Sequence, residues 1–245
     1  MPRRRKHYPP IGETKGKKQQ VAAMFDAIAP RYDLLNRILS AGIDRRWRRQ
    51  AVDLIALEEP RRVLDVATGT ADLAIEVARR LPVERVVGVD IAESMLRIGQ
   101  EKVARLGLGD RVVLRKGDAE KLPFSDAQFD AVLVAFGVRN FEDLDRGLQE
   151  SYRVLKPNGV LVVLEFSHPR TPIIRTLYRW YAHHVLPRIG AWLSRDEGAY
   201  RYLPESVEAF PDGPDFLQRM ARVGFRDLYW KPLTFGIASL YRGRR

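Results

Sequence analysis

The chain has 245 residues, 45% hydrophobic and 30% charged, a composition that suits a globular protein with one substantial core and some chain left for an appendage. It has no cysteine, which excludes disulfides, thiolate metal sites and cysteine nucleophiles. The formal net charge of +11 gathers at the ends: residues 1–20 set Arg3, Arg4, Arg5, Lys6, Lys15, Lys17 and Lys18 against Glu13 alone, and Arg242, Arg244 and Arg245 close the chain.

Residues 1–20 read as a basic disordered tail and residues 21–245 as a single domain. Such a tail is either solvated or drawn to an anionic lipid surface or nucleic acid. Pro9-Pro10 stands where a secretory signal would place its apolar run, and no segment approaches the ~18 apolar residues of a membrane span, so a cytoplasmic location is expected. Val21–Ala29 carries Val21, Met24, Phe25 and Ile28 at helical spacing and is expected to stop at Pro30. Leu34–Leu39 and Trp47–Leu57 continue as helices around a break at Gly42. The arginines 45, 46, 48 and 49 around Trp47 form either a solvated helix face or a phosphate clamp.

From Arg61 strands and helices alternate. Strands are expected at Arg62–Val66, Arg85–Val89, Arg111–Arg115, Phe129–Ala135 and Val160–Phe166, and helices at Asp72–Leu81, Ser94–Leu106 and Asp143–Leu155, the last stopped by Lys156-Pro157-Asn158-Gly159. This alternation predicts an α/β fold, a doubly wound and mostly parallel sheet with helices on both faces. Residues 167–210 break the rhythm: Ile173–Leu193 bears an aromatic-rich helical stripe interrupted by Pro187, which either covers the core or forms a helical lid. A helix at Phe216–Val223 and two strands, Phe225–Lys231 and Thr234–Tyr241, give the sheet an antiparallel C-terminal finish and seven strands in all.

The organising stretch is Val63–Asp72, a buried strand running into a tight turn and a helix N-terminus, the build of a nucleotide-binding corner. Only Gly69 is glycine there, so the G-x-G-x-x-G dinucleotide fingerprint is absent. Asp90 ends the second strand, twenty residues after Thr70, where a carboxylate accepts both hydroxyls of a ribose. After the third strand, Asp118 and the Ala119 backbone are placed to bond an adenine edge. Asp65 and Asp72 are candidates for the amino-acid end of a cofactor, with helix capping the alternative for Asp72.

In this order and spacing, Val63–Asp72, Asp90 and Asp118-Ala119 resemble class I S-adenosylmethionine-dependent methyltransferases, which implies their Rossmann-like fold and cofactor, with Thr70, Gly69, Asp65, Asp90, Asp118 and Ala119 binding it. A narrower resemblance flanks that core. Phe25–Asn36 leading into Leu39–Trp47, Arg153–Gly159 running to Ser167, Phe136–Asn140, and Tyr200–Ser206 are similar to the menaquinone/ubiquinone C-methyltransferase family. Asp44 stands where that family often has His, Leu35 where it has Met, Asn158 where it has Gly, and Ala135 where some members have Ser; the first removes a histidine base from that position.

The resemblance implies methyl transfer from S-adenosylmethionine to a ring carbon of demethylmenaquinol, with no metal. Arg139 and Asn140 are expected to bind and polarise the quinol oxygens, and Tyr32, Asp26, Glu165 and His168 are candidates for proton handling. For Arg139 a structural salt bridge is the alternative. His183 and His184, adjacent on a helix, point about 100° apart and make no ligand set. A polyprenylated quinol partner implies peripheral contact with an anionic membrane surface, for which the tail and Ile173–Leu193 are candidates. The ubiquinone pathway, an RNA methyltransferase and a non-catalytic cofactor-binding protein remain as alternatives, the RNA reading weakened because no RNA-binding module is recognisable.

Overall fold

The computed structural model describes residues 16–40, 42–172, 175–176 and 197–245. Seven strands form one sheet: β1 Arg62–Val66, β2 Arg85–Asp90, β3 Val112–Lys116, β4 Phe129–Ala135, β5 Leu155–Phe166, β6 Arg226–Leu233 and β7 Ala238–Arg244. Their order is β3-β2-β1-β4-β5-β7-β6. The first five are parallel, and β7 runs antiparallel between β5 and β6.

The period of two sends alternate residues to two cores. Val63 of β1 and Ala131 and Leu133 of β4 meet Trp47, Val52 and Ile55 of α2 (Asp44–Ala56), Leu73 and Val77 of α3 (Asp72–Arg80) and Leu96 of α4 (Glu93–Arg105). Leu64, Val132 and Val134 face the other way, to Leu148 of α5 (Leu144–Val154) and, past α6 (Glu197–Ala209), Phe216 and Met220 of α7 (Pro214–Val223). Both faces being covered, a mid-sheet strand must be apolar throughout, and Val160–Leu164 is buried without a gap. At about 1.5–3 kcal/mol per buried aliphatic side chain, this strand anchors the sheet centre.

Three local expectations are corrected. First, α1 is one helix, Lys17–Leu39, that passes through Pro30 and begins inside the span expected as tail. Proline within a helix costs about 3 kcal/mol through a lost hydrogen bond and a ring clash. Tertiary contacts offset that cost: Val21, Met24 and Ala29 are buried, Asp26 accepts the Ser94 N–H at the start of α4 (2.8 Å), and Asp33 binds Lys102 (2.9 Å). Second, the C-terminal arginines are not a tail. Arg242 and Arg244 lie in β7 and both pair with Glu58, while Arg245 donates to the carbonyls of Arg153 and Leu155. Third, Lys156–Gly159 belongs to β5, with Asn158 left-handed (φ 66°), a conformation that glycine favours and asparagine tolerates. The expected helical lid falls mostly on residues 173–174 and 177–196, outside the described residues, as do His183 and His184.

Candidate functional site

Strand order reverses between β1 and β4, and a cleft opens there at the C-terminal edge of the sheet, as the topology of doubly wound sheets dictates. Its empty space is about 650 Å³ counted out to the open mouth. Its floor is the turn after β1, where Ala67, Gly69 and Ala71 all have φ between 54° and 66°. Holding two alanines left-handed costs roughly 1–2 kcal/mol each. Gly137, after β4, closes the floor: a Cβ there would sit 2.6 Å from that of Ala67. The roof is one face of α1, with Lys18, Val21, Phe25 and Tyr32.

Six of the nine expected site residues line this cleft: Tyr32, Gly69, Asp90, Asp118, Ala119 and Asn140. Asp90 uses Oδ2 to accept the Gly69 N–H (2.8 Å) and Oδ1 to accept that of Ala92 (2.9 Å), which ties the ends of β1 and β2 together. Burial raises its carboxyl above the usual carboxylate range, against those backbone donors. The Ile91 N–H also favours its charged form. Asp118 accepts the Glu120 N–H through Oδ1 and pairs through Oδ2 with Lys18 (2.8 Å), whose ammonium also reaches Glu120 (2.8 Å). The Tyr32 hydroxyl is raised by burial and stays a neutral phenol at pH 7.

Asp65, Thr70 and Arg139 stand behind the lining. Asp65, 1% exposed, takes bonds from Thr68 Oγ1 (2.6 Å) and the Ala74 N–H (3.1 Å) through Oδ2, so it caps α3, the role weighed for Asp72. Its Oδ1 is buried with no partner among the described residues, and burial raises its carboxyl to about 7. The buried Thr70 hydroxyl donates to Asp33 (2.6 Å) and accepts from Lys102 (3.1 Å). Asp72 itself pairs with Lys102 and, at 3.9 Å, with Arg48.

Arg139 and Asn140 share the 3-10 turn Val138–Asn140 and both reach the Phe136 carbonyl, but only Asn140 lines the cleft. Arg139 Nη1 donates to Glu165 Oε1 (2.7 Å) and the Phe136 carbonyl (2.6 Å), Nε donates to Ser206 Oγ (3.3 Å), and the guanidinium lies over the Phe166 ring (5.3 Å). Glu165 is wholly buried, which raises its carboxyl even against this cation. Asn140 lines the cleft with a long contact from Nδ2 to the Phe136 carbonyl (3.4 Å) and a buried Oδ1 with no partner among the described residues. The other residues expected to handle protons are engaged elsewhere: Asp26 caps α4, and His168 bonds Asp212.

Composition and strand pattern did not reveal Lys18, Met95, Ile91, Glu120, Phe136 or Phe141 as lining residues. One signal was available for α1: positions 18, 21, 25 and 32 follow helical spacing and so share a face.

The site therefore offers a ligand a turn tied by Asp90, the carboxylate of Asp118, and the Asp65 and Asn140 Oδ1 atoms, which have no partner among the described residues. The family model described as the ubiE/COQ5 methyltransferase family matches residues 13–245. A demethylmenaquinone methyltransferase of Deinococcus radiodurans is 51% identical over 235 residues, 96% of each chain. A ubiquinone/menaquinone biosynthesis C-methyltransferase UbiE of Geobacter sulfurreducens is 49% identical, covering 94% of this chain and 90% of its own. Among solved structures, an S-adenosylmethionine-dependent methyltransferase from Thermotoga maritima superposes with a TM-score of 0.63 at 20% identity, covering 91% of this chain and 98% of its own. The cyclase SpnF, at 0.64 and 18%, covers 98% and 99%. Those two likenesses establish the fold alone, since one architecture carries different reactions.

Proposed function

The chain belongs to the ubiE/COQ5 methyltransferase family and is an S-adenosylmethionine-dependent C-methyltransferase of quinone biosynthesis, and from that premise we propose that it methylates a ring carbon of demethylmenaquinol to give menaquinol. The observation that carries the reading is the unpartnered Asn140 Oδ1 in the cleft that also holds Asp90 and Asp118. A ring hydroxyl donating to that oxygen would satisfy a buried group that is otherwise costly.

When bound, S-adenosylmethionine supplies a methyl group on a positively charged sulfur. The chain's own residues do the rest. Asp90 would hold the ribose hydroxyls, Asp118 and the Ala119 backbone the adenine edge, and Asp65 Oδ1, under the Ala67–Gly69 turn, the ammonium. Gly69 lets the backbone approach closely. Accepting a hydrogen bond from the acceptor hydroxyl, Asn140 pushes electron density toward the ring carbon, a modest activation that alignment must multiply. Tyr32, a neutral phenol on the roof, donates to a ring oxygen and helps α1 exclude water. Arg139 is a positioning residue in this reading: its bonds fix the 136–140 segment, and a guanidinium, with five donors and no acceptor, is no base.

Residues 21–245 act as one methyltransferase domain in this reading, with a lid within 167–210. No helix among the described residues is long and apolar enough to cross a membrane. In this reading the polyprenylated acceptor is met by peripheral contact at the inner face of a bilayer. Relatives named for both quinone pathways keep the ubiquinone precursor as a second acceptor.

The test is incubation with methyl-labelled S-adenosylmethionine and reduced demethylmenaquinone, beside the demethylated ubiquinol precursor and RNA. Label in menaquinol is expected, with loss of turnover in Asn140→Ala. Label entering RNA alone would overturn the assignment.

A further inference from the structure

The connection between β6 and β7 lies at the same sheet edge as the cleft, because Ala238 at the start of β7 pairs with Phe166 at the end of β5. Three successive residues there are left-handed: Thr234 (φ 44°), Phe235 (φ 59°) and Gly236 (φ 89°). Only glycine adopts that region without strain; a β-branched and an aromatic residue do not. The strain puts the Phe235 ring in water, 75% exposed, while Leu233 and Ala238 on either side are buried. Nor is the turn a loose tip. Trp47 Nε1 donates to Thr234 Oγ1 (2.9 Å), and Ser167 Oγ donates to the Gly236 carbonyl (2.8 Å).

The start of α2 stands beside it. Ile43, Arg46 and Gln50 follow one helical stripe, and Lys231 Nζ of β6 donates to Gln50 Oε1 (3.3 Å). Ile43 is 37% exposed, and Arg45, Arg46 and Lys231 are exposed. None of these three cations has an ion pair among the described residues, and the nearby acid Asp44 is buried against Arg48. An aromatic wall joins this face to the cleft. Phe136, in the lining, lies 4.6 Å from Phe166, and Trp47 lies 6.2 and 6.3 Å from the two.

We propose that this face is the surface with which the enzyme docks on an anionic lipid bilayer, Phe235 and Ile43 entering the headgroup–acyl boundary and Arg45, Arg46 and Lys231 contacting lipid phosphates. It rests on the reading that the acceptor is lipid-soluble. An exposed aromatic on a braced turn, ringed by unpaired cations, has the chemistry of an interfacial anchor. Its continuity with the cleft wall puts the lipid where an acceptor's apolar tail would leave the site.

The absence of cysteine makes a single-thiol probe clean. Phe235→Cys, carrying an environment-sensitive fluorophore, is mixed with phosphatidylcholine vesicles with and without phosphatidylglycerol. Leu57→Cys, 80% exposed just past the far end of α2, is the control. The expected result is a blue shift and several-fold protection from iodide quenching at position 235, on the anionic vesicles only, and neither at position 57. Arg45→Glu with Arg46→Glu in that background weakens vesicle partitioning by about tenfold or more. A label at 235 that stays accessible to iodide while the protein sediments with vesicles, a protein that binds neither vesicle, or protection brought by a protein partner without lipid would each overturn the proposal. The acceptor reading is separated by a short-chain, water-soluble demethylquinol. Wild type and Arg45→Glu/Arg46→Glu should methylate it equally, and failure of wild type to do so counts against the acceptor, independently of the fluorescence.

Discussion

Asp65→Asn separates what the buried carboxyl does for the fold from what it does for the cofactor. Burial raises this carboxyl to about 7, from an ordinary value of about 3.8. Its folded pKa is raised, so its contribution to stability is fully present below about pH 3.8 and is lost as the pH rises through about 7. The span corresponds to roughly 4 kcal/mol. Asparagine keeps an oxygen for Thr68 Oγ1 and the Ala74 N–H but does not titrate. The stability of the variant relative to wild type, from urea unfolding at a series of pH values, should therefore climb by about 4 kcal/mol between acid and mildly alkaline conditions. Glu165, also raised by burial, contributes to both proteins and cancels in the difference; Asp90, whose charge helps to raise Asp65, does not cancel completely. Affinity should move the other way. Losing a charge-assisted bond to the cofactor's ammonium costs about 1.5–3 kcal/mol, so S-adenosylhomocysteine should bind roughly 10–100-fold more weakly by calorimetry. Parallel stability profiles would refute the titration argument, and equal affinity would remove Asp65 from the cofactor's seat.

Two further substitutions test residues behind the lining. Arg139→Ala leaves Glu165, fully buried, without its cation, and should cost about 3–5 kcal/mol in urea unfolding; replacing both by leucine should recover most of it, and an unchanged midpoint for the single variant would contradict the buried pair. Thr70→Val removes the hydroxyl that joins Asp33 and Lys102 and should lower stability by about 1 kcal/mol with the KM for S-adenosylmethionine unchanged, whereas a large rise in KM would make Thr70 a cofactor ligand after all.

The strand–helix alternation was legible because each element buries a face of its own period, as in β4, where Ala131 and Leu133 enter one core and Val132 and Val134 the other. The edge of the cleft was legible too, since Asp90 and Asp118 line it where strand ends must present them. What escaped was decided by partners distant in sequence. A local rule stops a helix at Pro30, but the acceptors Asp26 and Asp33 on either side are used by Ser94 and Lys102 of α4, and those contacts hold α1 together. Lys18 belonged by composition to a charged tail; only α1's path across the cleft brings it to Asp118 and Glu120. The C-terminal arginines likewise look like a tail until Glu58, at the end of α2, is known to face them.

Arg139 and Asn140 show the same limit at the centre of the site. As neighbours in sequence they were expected to act together on the acceptor; both reach the Phe136 carbonyl, but only Asn140 lines the cleft. The inward position goes to the residue whose partner is missing. Arg139 finds its partners within the protein, in directions only a planar guanidinium serves at once: Glu165, the Phe136 carbonyl and Ser206, with Phe166 beneath its plane. Asn140 has one long contact and an unsatisfied oxygen. The buried pair is close to neutral as a unit, so it projects little field toward the acceptor, and a lysine at 139 would keep the charge while losing the fork that aims residue 140. In the proposed reading, polar recognition of the acceptor therefore rests on the amide, with the segment that carries it held by the ion pair behind it.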